Sequence, residues 1–212
     1  MQPPVAMTWA EYEANWKIDR IFGQKVQEST YYWYHEGFDL NLKTGGDTDL
    51  GLPVYAVGRG RVVYYHRYTH ANTPGSYGRH LILKLDDLPL WVHYAHLADD
   101  GFINQTINVA EGARLGKIDK SGLVVGAKAH LHFSVFKKDP VGNIDRWARS
   151  RAELNEWWVD PAELFETWSN PAPPASGPIT DQTYIPQLGM TVAQAREVVD
   201  GFNAIKEITN RF

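Results

Sequence analysis

Apolar and polar residues alternate over six short runs in the chain: Val54–Val57, Arg61–Tyr65, His80–Leu85, Leu90–His96, Ala113–Ile118 and His130–Phe136. Successive side chains on a strand face opposite ways, so this alternation predicts half-buried β-strands, with the intervening Gly, Pro and Asn residues making the turns. No long helical pattern separates the runs, which points to an antiparallel sheet or sandwich. The periodicity changes at both ends. Thr8 followed by Glu11 fits a capping box, and residues 8–28 read as helix or irregular lead-in. Ser150–Trp168 reads as a closing helical segment, with Asp160-Pro161 as N-cap and first helical residue. Asn170–Pro178 is a stiff Pro-rich linker. Beyond it Ala195, Val198, Val199, Phe202, Ile205 and Ile208 recur at helical spacing behind a Thr191/Gln194 capping box. That helix either docks on its own domain or serves self-association or a partner, and the pattern fits both. The expected organisation is a lead-in over 1–30, a mainly β domain over 31–168, a linker over 169–180 and a helical tail over 181–212.

Composition narrows the function classes. The 212 residues suffice for one full domain and a small appendage. Net charge is -4 with the signs interspersed, so neither nucleic acid nor anionic lipid is an expected partner. No apolar run is long enough to span a membrane, and the opening residues lack a basic stretch followed by an apolar one, so no secretory signal is read there. Cysteine is absent, so any zinc would be held by imidazole and carboxylate.

Candidate chemistry sits on histidine. Of eight histidines, His35 stands four residues before Asp39, and His130 and His132 flank Leu131. On a strand, residues two or four apart share a face, so each pair can converge on one ion. Either spacing alone arises often by chance. Together they supply the three protein ligands and one open position that a catalytic zinc site uses, with histidines left over for proton transfer. His96, in Trp-Val-His-Tyr-Ala-His-Leu, is a further candidate.

At these residues the sequence resembles the lysostaphin-type zinc endopeptidases. The shared residues run in order from His35-x-Gly37-x-Asp39 through Gly51-Leu-Pro53-Val-Tyr-Ala56, Gly60-Arg-Val62, Tyr77-Gly78 and Tyr94-Ala-His96-Leu97. They continue through Val109-x-x-Gly112-x-x-Leu115-Gly116-x-Ile118, Ser121-Gly122, Gly126 and His130-Leu-His132-Phe133 to Val159-Asp160-Pro161. The resemblance implies a small antiparallel β catalytic domain, with zinc on His35, Asp39 and His132 and catalysis by His96 and His130. It also implies hydrolysis of peptide bonds in bacterial peptidoglycan, and hence action at the cell wall. The organisation resembles that of a phage endolysin or tail-associated lysin; a bacterial wall-remodelling enzyme is the alternative. The loop Asn41–Leu50 is longer and more polar than the family's usual connection and is expected to reshape one rim of the groove.

Other residues have plainer expectations. Tyr31 and Tyr32 are candidates to line a substrate groove, or to pack the core with Trp33 and Tyr34. Glu36 should point away from the metal, to the surface. His66 and His70 should be solvated, His80 should face solvent, and His93 should lie on the strand face opposite His96. Trp147, Trp157 and Trp158 read as core or as a lid. The competing function is a binding or regulatory module that holds peptidoglycan without cutting it. A structural virion component is a third reading, and it predicts no bound metal.

Overall fold

A computed structural model describes residues 1–28, 31–66, 76–99, 107–144 and 147–169, and the short strands at 184–185 and 190–191. The chain divides into two compact units, Met1–Asn170 and Pro171–Phe212. The first contains α1 (Trp9–Asn15), β1 (Trp16–Arg20), β2 (Lys25–Glu28), β3 (Tyr31–Tyr34), β4 (Gly37–Leu42), β5 (Pro53–Tyr55) and β6 (Gly60–His66). It continues with β7 (His80–Leu85), β8 (Trp91–Ala95), β9 (Asn108–Val109), β10 (Arg114–Lys117), β11 (Leu131–Phe136), α2 (Arg151–Trp157), β12 (Trp158–Val159) and α3 (Pro161–Ser169). In the second, β13 (Tyr184–Ile185) pairs antiparallel with β14 (Met190–Thr191). The expected linker and C-terminal helix fall outside the described residues, apart from Thr191, whose backbone lies in β14.

The mainly β, antiparallel expectation holds. One large sheet runs β1-β4-β11-β8-β7-β6-β9, with β12 extending the β4 side of β11. Its pleat sorts the chain into two faces. Leu131, Phe133 and Val135 of β11 join Phe38, Leu40, Val92, Tyr94 and Leu83 in the main core, together with Val54 and Leu115 from the small β5–β10 sheet. Helix α3 seals this core by setting Phe165 against Phe38 and Phe133. Phe136, from the other face, packs with Ile82, Ile144, Ala148, Leu154 and Trp158 in a second, smaller cluster. The rest of that second face is polar. It carries Asp39, His132, Ser134 and His93 side by side, because Asp39 pairs with His132 and Ser134 with His93 across the strands.

The lead-in is structured. Thr8 caps α1 by accepting from the Glu11 amide, and Trp9 and Tyr12 reach Phe165 edge-on. The following Trp16–Arg20 forms a strand because it finds β4 as a pairing partner. Gly37 permits the closest approach of β4 to β11, since a Cβ there would stand 2.2 Å from the Phe133 carbonyl oxygen.

Candidate metal centre and active site

Strands β4 and β11, with the links before them and the turn after β8, bring the predicted residues together. Nε2 of His35 lies 3.0 Å from Oδ1 of Asp39 and 3.1 Å from Nδ1 of His132, and Nδ1 of His132 lies 3.1 Å from the same Asp39 oxygen. Three donors on a tetrahedral ion with ~2.0–2.1 Å bonds would be spaced by about 3.3 Å, so this triangle is the right size for zinc. The donor set also fits. The His35 Nδ1–H points at the Ile21 carbonyl, 3.2 Å away, which leaves Nε2 for the centre. Among the described residues this is the cluster of His, Asp or Glu side chains able to hold a metal ion, and all three members are buried.

Contrary to the expectation that they share a strand face, His35 and Asp39 do not lie on one strand. His35 and Glu36 form the link between β3 and β4, outside both. The bend at this link, and the Ile21 carbonyl, aim the imidazole at Asp39. Burial works against charge on His35, but the Asp39 carboxylate overrides it and raises the imidazole pKa. For Asp39, burial opposes ionisation, while the His35 charge and hydrogen bonds from His132 and His35 hold the carboxyl well below its usual range. It is therefore an anion, as a metal ligand must be.

His96 and His130 stand beside this triangle, with ring centroids 4.8 Å apart. Each has its tautomer fixed by a carbonyl: His96 Nδ1 donates to Ser121 O at 2.8 Å, and His130 Nδ1 to Lys128 O at 2.9 Å. Nε2 is thus the unprotonated nitrogen in the neutral form of each ring. Burial, with His130 and His132 nearby, lowers the His96 pKa well below the ordinary imidazole value and keeps that ring neutral. Nε2 of His130 comes within 3.6 Å of Asp39 Oδ1.

All five side chains open onto one groove of about 460 Å³. Tyr32, Trp33, Tyr77 and Trp147 line one part of it, and Leu123, Val124 and Ala127 another. Tyr32 is half exposed there; the side chain of Tyr31 lies outside the described residues. Trp147 is a groove residue, stacked on Tyr77 with ring centroids 5.0 Å apart, whereas Trp158 is core. The long loop after β4 is clamped to the approach to β11, because Asp47 accepts from the Ala129 amide at 2.8 Å and from Lys120 at 3.1 Å.

Several expectations for neighbouring residues are corrected. Glu36 is wholly buried; the Tyr77 hydroxyl donates to it, and burial pushes its pKa up to about 7. His80 is buried as well, its Nδ1 2.7 Å from Nε2 of His93, and the half-buried His66 ring stands 5.4 Å from it. His93 and His96 both approach His132, with centroids at 6.0 and 6.2 Å, because the chain leaves β8 after Ala95 and turns at His96. His70 lies outside the described residues. Arg20, Tyr77 and Trp147 were not singled out by sequence as site residues. Tyr77 alone carried a signal, the Tyr-Gly pair.

Comparison with known proteins places the chain in a family. The model described as Peptidase family M23 matches residues 33–144, more than half of the chain. The chain belongs to peptidase family M23. The M23 fold recurs in the catalytic domain of lysostaphin from Staphylococcus simulans, at 19% identity and TM-score 0.51, covering 74% of this chain and 97% of that one. The structure of the SpoIIQ-SpoIIIAH pore forming complex is similar at 19% identity and TM-score 0.50, covering 77% of this chain and 94% of that one. A zinc containing peptidase from Vibrio cholerae is similar at 24% identity and TM-score 0.46, covering 62% of this chain, which spans only 35% of that one. Among curated protein sequences none matches. The M23 match takes in His35, Asp39, His96, His130 and His132, whereas Arg20 and Trp147 lie outside it.

Proposed function

We propose that this M23 chain is a zinc-dependent endopeptidase that hydrolyses peptide bonds in bacterial peptidoglycan. The observation that carries the reading is the triangle of His35, Asp39 and His132 donor atoms, 3.0–3.1 Å apart, beside two imidazoles at the floor of an open groove. When bound there, zinc supplies Lewis acidity toward a peptide carbonyl and acidifies water at its open position.

The remaining chemistry belongs to the chain. His96, held neutral by burial and with its Nδ1 proton pinned to the Ser121 carbonyl, offers Nε2 as a proton acceptor. His130, fixed in the same tautomer by Lys128, stands across from it to steady the developing oxyanion or to return the proton to the leaving amine. The aromatic flank gives an extended peptide a rigid surface. A phage lysin and a bacterial wall-remodelling enzyme would present the same groove to the same polymer.

The test is release of soluble muropeptides from purified cell walls, with and without a chelator and after zinc is restored. Hydrolysis that disappears and returns with the metal is expected. His132→Ala should lose both stoichiometric zinc and turnover, while His96→Ala should keep zinc and lose turnover. Binding to walls without any muropeptide release would make the chain a non-cutting module instead.

A further inference from the structure

The groove has an electrostatic character opposite to that of the molecule as a whole. The chain carries a net charge of -4, yet among the described residues the charged side chains lining the groove beyond the metal triangle and the catalytic histidines are Arg20 and Arg149. The acid among the described lining residues is Asp39, already committed to the metal triangle. Both arginines stand on the flank built around β3. Ile21, next to Arg20, receives the His35 hydrogen bond, and Arg149 follows Ala148, whose backbone bridges to Tyr34.

Among the described residues neither guanidinium is used up by the fold. Arg20 reaches Asp39 Oδ2 with one nitrogen at 3.6 Å, a long single contact from a side chain 42% exposed. The Arg149 backbone amide donates to Glu153, and its guanidinium has no ion pair among the described residues. Lys25 adds a third positive charge behind this flank, its ammonium 4.2 Å from the centroid of the Tyr32 ring. Facing the cationic, aromatic flank are the short aliphatic side chains of Leu123, Val124 and Ala127.

We propose that Arg20 and Arg149 form a carboxylate-recognition site, so that the groove selects peptides with a free carboxylate close to the scissile bond over uncharged glycine bridges. This deepens the reading above and rests on it. A guanidinium presents a planar fork of N–H donors that matches a carboxylate, and such charge-assisted hydrogen bonds are about twice as strong as neutral ones. Small apolar side chains of the same peptide would cover the aliphatic rim. A run of glycines would leave both guanidiniums without a partner and that rim uncovered. Arg20, within 3.6 Å of a metal-triangle residue, places the carboxylate beside the reacting bond; Arg149 holds a carboxylate further along.

The experiment uses the zinc-loaded full chain and three probes: a wall-derived stem peptide with free carboxylates, the same peptide fully amidated, and pentaglycine. Affinity is read from the fluorescence of the groove residues Trp33 and Trp147, and cleavage by mass spectrometry. The free-acid peptide should bind about tenfold more tightly than either neutral probe. Arg149→Gln and Arg20→Gln should each lose most of that preference through KM while retaining zinc, and Arg149→Lys should recover part of it. Equal affinity for acid and amide, a preference for pentaglycine, or variants that still discriminate would overturn the proposal. Selective binding without cleavage would keep this inference and sink the hydrolase; cleavage without selectivity would do the reverse.

Discussion

His96 has a backbone φ of 59°, in the left-handed region that non-glycine residues seldom occupy. The arrangement costs on the order of 1–3 kcal/mol and persists because neighbours over-determine it. Its amide donates to Tyr77 O, its carbonyl accepts from Asp119, and its ring is tied to Ser121. The bend lifts the imidazole out of the strand register and beside His130. His80 shows a different dependence on burial, which, reinforced by His66 and His132, lowers its pKa to about 3. The unfolded chain binds that proton near pH 6.5 and the folded chain only near 3, so below pH 6.5 the unfolded state holds the extra proton. The stability tied to His80 is therefore full above pH 6.5 and is lost as pH falls toward 3, by about 1.4 kcal/mol per pH unit within that window. Urea unfolding of wild type and His80→Gln between pH 4 and 7 should show a slope shallower by about one proton in the variant. Parallel curves would contradict this account.

Two turns frame the His96 flank, and their chemistry was partly visible in advance. Tyr77-Gly78 and Ser121-Gly122 close on each other; Gly78 has φ +61°, and a Cβ there would lie 2.1 Å from the Ser121 carbonyl oxygen that holds His96. Gly78→Ala should therefore displace that carbonyl and reduce turnover by up to about 10²-fold while zinc stays bound. Metal analysis beside peptide hydrolysis would check this, and unchanged turnover would contradict it. Ser121→Ala keeps the carbonyl and should cost less turnover. At the N-terminal end, Thr8→Ala removes the cap of α1 and should lower stability by about 1 kcal/mol with hydrolysis unaffected, measured by denaturant unfolding and a peptide assay. The capping box announced α1. Trp16–Arg20 announced nothing clear, although Trp16 and Ile18 alternate with polar residues: a strand at a sheet edge is fixed by its partner, here β4, and not by its own pattern.

At the scale of the molecule, every residue assigned to metal binding or catalysis lies within the Met1–Asn170 unit. A chain ending at Asn170 should accordingly bind zinc and cut a soluble peptide at the rate of the full chain. Sedimentation of the two forms would then show whether residues 171–212 serve self-association. The sequence by itself determined the period-two strands β6, β7, β8 and β11 and the starts of α1 and α3, and its resemblance to a known family picked out five candidate site residues. Alternation and capping are local and follow from the pleat or the helix end alone, whereas His35 meets Asp39 through the bend between β3 and β4. Only the tertiary structure decided where Glu36, His80 and His93 go. Their spacing gave them to solvent or to the far face, but all three are buried around Tyr77, which donates to Glu36, stacks on His80 and meets His93 edge-on. The same is true of Arg20, which belongs to the groove because β1 pairs with β4. Burial and charge at a groove are sums over neighbours distant in sequence, and no local pattern encodes them.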